Sequence, residues 1–230
     1  MTEVSKKPEV SEVQKPEATA FKDIKPETDM TVSEAKSFVD SLFKESHDAL
    51  DDGYYNSYET RSGNIPVDGD RGHWEGERGE SKYIPSDSTE LGKAAKEKLA
   101  EKGMDGIEYN YAEPDFSECA EATVEIDGMT EHRDDYYNAD GDYTFGNFSQ
   151  ADVKCADQWN NSQRDGRTDW KPEDVREWRR ENSYSWHERC DTRTMDLVAY
   201  DIHSYFGHYG GCSECKARDA ANIDGGGFDE

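Results

Sequence analysis

The chain has no apolar run near the roughly 18–20 residues that a membrane-crossing helix needs. No apolar stretch follows the first lysines in MTEVSKKPEVSEVQKPE, so an ordinary secretory signal is not expected either. These absences point away from a membrane and towards cytoplasmic residence or export by a signal-less route. Positive charge is scarce: 27 Lys and Arg stand against 53 Asp and Glu, a formal net charge of −26. Such a chain is repelled by nucleic acid and anionic lipid at long range, which counts against simple coating of DNA. A nuclease is compatible with it, because cleavage needs only a local basic patch and a divalent metal. Cysteines number five, an odd count at irregular spacing, which is no disulfide framework and suggests free thiols in a reducing compartment. Hydrophobic residues make up only 33%, so the core is modest, yet 5 Trp and 13 Tyr argue against a wholly disordered chain.

The organisation follows from composition and periodicity. Residues 1–29, rich in Lys, Glu, Pro, Ser and Val, read as a disordered tail. Residues 30–62 hold an amphipathic helix that starts on the Thr31/Glu34 capping pair, and then a linker. Residues 63–144 form a Gly-rich accessory region of short strands and turns. A helix within it is capped by Asp87 and Glu90 and stopped by Gly103, and a strand follows near Thr123–Ile126. Residues 145–217 carry two more helices. One begins on the Ser149/Asp152 pair and aligns Ala151, Cys155 and Trp159 on one face. The other opens with Pro172, Glu173 and Asp174, turns Val175 and Trp178 inward and leaves Arg176, Arg179 and Arg180 free to face outward. Residues 218–230 read as a flexible acidic tail. The fold class expected is α+β, mostly helical with short strands.

Half of the six histidines fall in SYSWHERCDTRTMDLVAYDIHSYFGHYGG. The stretch reads as a strand (YSWHE), a turn (RCDTRT), a strand (MDLVA) and a helix from about Tyr200. Packing that helix across the hairpin brings His203 and His208 to the strand-end pair His187–Glu188. Imidazole and carboxylate together suit Zn²⁺, Ni²⁺, Mn²⁺ and, less ideally, Mg²⁺. His203 and His208 are five residues apart, about 500° along a continuous helix, so they would not share a face. A left-handed Gly207 ending the helix would bring His208 back, and Gly210–Gly211 would let the chain turn beside the site.

Trp186-His187-Glu188, Thr194-Met195 with Leu197-Val198, Ile202-His203, and His208 with Gly210-Gly211 together resemble the HNH/endonuclease VII superfamily, in particular its Trp-His-His or Trp-His-Glu toxin nucleases. The lead-in GRTDWKPEDVREWRRENSYSWHE and, more loosely, HWEGERGESKYIP further upstream look similar to stretches in such proteins. The resemblance implies a C-terminal ββα-metal (HNH-like) core and a metal-dependent endonuclease, with DNA expected ahead of RNA. It also implies a bacterial or phage toxin whose partner is a cognate immunity protein. His203 and His208 would be metal ligands. His187 would be the general base and Glu188 a ligand or orienter, with the reverse assignment open. Asp191, in the turn, would orient the base, since no Asn stands between the strands where the family has one.

Other features compete. Cys212 and Cys215 in GGCSECK could supply half of a structural zinc site, its other ligands drawn from Cys190, Cys155, Cys119 or His132. Arg176, Arg179, Arg180, Arg189 and Arg193 could contact phosphates or be spent in salt bridges. His73, Glu75 and Glu77 could make a second site but read better as a folded surface. Two other functions stand beside the nuclease: a non-catalytic acidic interaction or inhibitor protein on a degenerate HNH-like fold, and a structural zinc module. Deleting residues 1–29 is expected to leave metal-dependent cleavage unchanged; a plasmid assay on the truncated chain checks this.

Overall fold

The structure, a computed structural model, describes residues 53–225. The elements in order are α1 (Tyr58–Ser62), β1 (Gly72–Trp74), β2 (Lys82–Pro85), α2 (Glu90–Glu101), β3 (Ile107–Asn110), β4 (Glu113–Pro114), β5 (Ala122–Glu125), β6 (Tyr136–Tyr137), β7 (Tyr143–Thr144), α3 (Asn147–Ser162), α4 (Pro172–Glu181), β8 (Tyr184–Glu188), β9 (Thr194–Ala199), α5 (Tyr200–Tyr205) and α6 (Gly211–Gly225). This is an α+β arrangement. The tail expected over 1–29 and the helix expected from Thr31 lie outside the described residues. No helix of the described residues is long and apolar enough to cross a membrane.

Local signals place most helices, with informative exceptions. Thr89, not Asp87, caps α2 by accepting a hydrogen bond from the Gly92 amide, and Gly103 follows its end at φ +73°. Pro172 occupies the first turn of α4, and the Asp174 carboxylate accepts from the Lys171 amide. α3 begins two residues before Ser149, behind Gly146, so the expected Ser149/Asp152 cap does not form. Both side chains instead reach across to α4. α6 runs to Gly225, so the acidic tail expected from residue 218 begins as helix.

Sheet topology moves one boundary. β5, inside the region expected to be accessory, pairs antiparallel with β9, making a three-stranded sheet of order β5-β9-β8. β1 to β4 form a separate four-stranded antiparallel sheet, and β6–β7 is a small hairpin. Residues 63–144 therefore supply a strand of the same sheet that carries His187.

Side chains alternate across a strand, so the β5-β9-β8 sheet separates two apolar cores. On one face Ala122, Val124, Met195, Leu197 and Trp186 pack against Ala151, Cys155 and Trp159 of α3 and Val175 of α4. On the other, Val198 joins Ile202, Tyr205 and Phe206 against the β1–β4 sheet and α2. Two fully buried carboxylates pin this sheet to its surroundings. Asp152 of α3 accepts from Arg179 Nε and Nη2 at 2.8 and 2.9 Å and from Trp186 Nε1 at 2.8 Å, tying α3, α4 and β8 together. Asp196 of β9 accepts from Arg189 Nε and Nη2 at 2.6 and 3.0 Å and from the Thr123 hydroxyl at 2.6 Å.

Breaking a buried pair leaves the other charge uncompensated, at about 3–5 kcal/mol. Asp152→Ala is therefore expected to destabilise by about that amount in urea denaturation. Lys154→Ala, which removes an exposed pair with Asp127, is expected to shift stability by less than about 0.5 kcal/mol.

Candidate active site

The pleat of β8 decides which way its polar residues point. Trp186 and Glu188 face α3, while His187, between them, faces the opposite core. There its ring meets Phe116 edge-on with centroids 4.9 Å apart. Phe116 also touches His203 and His208, with centroids at 5.9 and 5.8 Å, so one buried ring forms the floor under all three imidazoles. His203 comes from α5, which follows β9 without a loop. His208 comes from the turn beyond, its ring set by a 2.7 Å contact between Nδ1 and the Phe206 carbonyl.

That turn differs in detail from the sequence expectation. α5 ends at Tyr205, and Phe206 at φ −87°, ψ 92° already leaves the helix, so no left-handed Gly207 is used. Glycine is required at 207 because a Cβ would lie 2.6 Å from the Asn64 carbonyl oxygen. Gly211 has a comparable reason: a Cβ there would sit 2.4 Å from Met129 Sδ and 2.6 Å from the Arg189 carbonyl. These glycines serve close approach rather than chain freedom.

One ligand nitrogen from each of His187, His203 and His208 lies within 4.8 Å of the others. No other group of three His, Cys, Asp or Glu side chains with metal-holding geometry occurs among the described residues. Burial is the first cause of a lowered basicity in all three. His187 falls well below the ordinary histidine value, with the neighbouring imidazoles adding to the effect. His203 is lowered to about 3 by burial, then by His208 and Arg133. His208 is lowered to about 4 by burial, opposed by the Phe206 carbonyl and helped by the charge of Arg133. All three are neutral at pH 7, the form that binds metal. Both ring nitrogens of His187 are buried without a hydrogen-bond partner, a costly state for polar atoms. A divalent ion fits this set: it would satisfy an orphaned nitrogen, and the donors are uncharged imidazoles gathered in one place.

Glu188 lies on the other side of the pleat but lines the same cavity, of about 360 Å³, that exposes His203 and His208. Its carboxylate is 3% exposed. Oε1 accepts from Asn147 Nδ2 at 2.9 Å and from the Cys212 thiol at 3.1 Å, and Oε2 from Arg133 Nε at 3.2 Å. The Cys212 thiol is held protonated, its pKa pushed up to about 12 by burial and then by Glu188. Glu188 is thus a fixed neighbour of the histidine triad, outside the set of three.

Several sequence expectations are redirected. The Asp191 carboxylate accepts from the Arg193 and Thr194 amides and the Thr194 hydroxyl. It closes its own turn and has no part in orienting His187. Arg179 and Arg176 are spent on Asp152, with Arg176 also donating to Ser149, and Arg189 is spent on Asp196. Arg193 pairs with Glu125 at 2.5 Å. Of the five arginines, only Arg180 is exposed and in no ion pair among the described residues. Cys212 and Cys215 diverge: Cys212 faces the cavity, whereas Cys215 is buried and donates to the Met129 carbonyl, so no second ligand set assembles around them. Sequence reasoning passed over Arg133, Asn147 and Phe116. None carries a periodic or motif signal; Asn147, in the first turn of α3, reaches Glu188 from a distant part of the chain.

Residues 106–210 match the family model for the DNase/tRNase domain of colicin-like bacteriocin. No curated protein and no solved structure matches the chain. The match spans β3 to just past His208, and so takes in Phe116, Arg133, Asn147, Glu188 and the three histidines. It supports a nuclease of the bacteriocin toxin type.

Adding Zn²⁺ or Ni²⁺ to chelator-treated protein is expected to raise Tm by about 5–10 °C at a hundredfold excess over Kd. His187→Ala and His203→Ala should each abolish the rise, as read by differential scanning fluorimetry. For metal-free protein the sign of the pH effect is set by the depressed histidines. Their stabilising contribution is complete above about pH 6.5 and is lost as pH falls towards the folded values. Tm without metal should therefore drop between pH 7 and pH 5.

Proposed function

We propose that the protein is a metal-dependent endonuclease of the HNH type, built on a ββα-metal core of β8, β9 and α5, and that it acts as a toxin held in check by an immunity protein. The observation that carries the proposal is the triad of desolvated, neutral imidazoles with an unpartnered ring at its centre, inside the region matched by the nuclease family. His187, His203 and His208 would hold the ion. Three imidazoles suit Zn²⁺ or Ni²⁺ better than Mg²⁺. When bound, the ion supplies Lewis-acid polarisation of the phosphodiester and charge stabilisation at the leaving oxygen.

The geometry favours the reversed assignment of the strand-end pair. His187 is buried edge-on against Phe116 and turned to the other two histidines, a ligand's position. Glu188 is the remaining proton acceptor on the cavity wall, and Asn147 keeps its carboxylate aimed while the other oxygen faces Arg133. In this reading Glu188 takes the proton of the attacking water and Phe116 excludes solvent from the imidazoles.

Purified protein incubated with plasmid DNA, and separately with RNA, in Mg²⁺, Mn²⁺, Ni²⁺ or Zn²⁺ tests the proposal. Glu188→Gln should bind metal normally and lose about 10²–10⁴-fold in cleavage rate, the usual worth of a positioned base. His203→Ala should lose metal affinity first, so that raised metal partly restores it. Metal binding without cleavage of either nucleic acid would favour the non-catalytic acidic interaction protein or the zinc module.

A further inference from the structure

We infer that Arg133 and Lys216 form a phosphate clamp at the mouth of the histidine cavity, and that Arg133 is shared between Glu188 and the bound phosphate. The inference rests on the nuclease reading and names the groups that would let so acidic a chain hold a polyanion.

Arg133 and Lys216 are the Arg and Lys side chains that line the cavity holding His187, His203 and His208. The arginines that looked best placed in sequence are, apart from Arg180, committed to carboxylates, three of them to the buried Asp152 and Asp196. Arg133 behaves differently. Its side chain is 57% exposed although it pairs with a carboxylate that is 3% exposed, so it spans the distance from the buried base to solvent. A guanidinium there can offer paired donors to a phosphate. Glu188 would not be stranded when Arg133 turns outward, because Asn147 and the Cys212 thiol still donate to its other oxygen. Lys216 is placed by helix geometry. It stands four residues after Cys212 on α6, on the same face, and Cys212 already touches Glu188. Lys216 is exposed and in no ion pair among the described residues, so its ammonium is available. With a net charge of −26 repelling nucleic acid at long range, two cations on one rim concentrate attraction where the phosphate must lie.

The test measures fluorescence anisotropy of a fluorescein-labelled 12-base-pair DNA duplex with the full chain in chelator, where cleavage cannot intervene. Arg133→Ala is expected to weaken binding by about 10–100-fold, the range for a charge-assisted hydrogen bond. Arg133→Lys should restore part of that loss. Lys216→Ala, at an exposed position that leaves the core intact, should weaken binding several-fold. Lys93→Ala on α2 should leave it unchanged. Sharing is tested by a double-mutant cycle: Glu188→Gln should tighten binding more when Arg133 is present than in the Arg133→Ala background. Wild-type affinity in both Arg133→Ala and Lys216→Ala overturns the clamp, and equal effects of Glu188→Gln in the two backgrounds overturn the sharing. If the wild-type chain cleaves nucleic acid with metal while these variants bind as it does, the clamp alone fails. If the wild-type chain neither binds the duplex nor cleaves with any metal, the nuclease reading fails and the clamp with it.

Discussion

The site depends on one buried carboxylate. Asp152 receives Arg179 from α4 and the indole N–H of Trp186 from β8, and so settles where the edge strand lies against its helices. Trp186 is the residue before His187, and a strand that alternates its side chains cannot rotate one without the other. With Trp186 drawn to α3, His187 must point into the opposite core and Glu188 back towards Asn147. The separation of an imidazole from a carboxylate one residue away is thus a consequence of the pleat, enforced by a hydrogen bond on the far side of the sheet.

Burial then sets the chemistry. Phe116 packs against all three imidazoles, burial holds them neutral, and both nitrogens of His187 are left without a hydrogen-bond partner. Such a site is costly in a protein with a modest core, and close packing is what sustains it. Gly207 and Gly211 let backbone from distant segments approach within distances that any side chain would forbid. The four-stranded sheet contributes in the same way, because its core closes over α5 and holds the helix that delivers His203.

Charge is arranged against the overall balance. The buried acids Asp152 and Asp196 consume three of the arginines nearest the site in sequence, so basic residues there are structural even in an acidic molecule. Where the cavity opens, Arg133 and Lys216 bring cationic groups to its rim. Net charge therefore describes the solubility and long-range field of the chain, while the chemistry of the cavity is governed by a few local pairs.

Local signals in the sequence determined the secondary elements around the site. The β-composition of YSWHE and MDLVA, the Pro172–Asp174 helix start and the Ala151–Cys155–Trp159 face all describe interactions between residues close in the chain, and all reappear in the structure. The gathering of His187, His203 and His208 was also legible, since strand, turn, strand and helix leave few ways to pack. Roles were not. Asp191 looked like an orienter until its own turn was seen to use it, and Arg179 looked free until Asp152 was seen across the helix interface. Tertiary structure alone brought Arg133 and Asn147 to Glu188 and Phe116 to the histidines, from positions 40 to 71 residues before His187. Contacts that distant in sequence carry no period or spacing by which to read them; they exist only once both faces of the β5-β9-β8 sheet are covered.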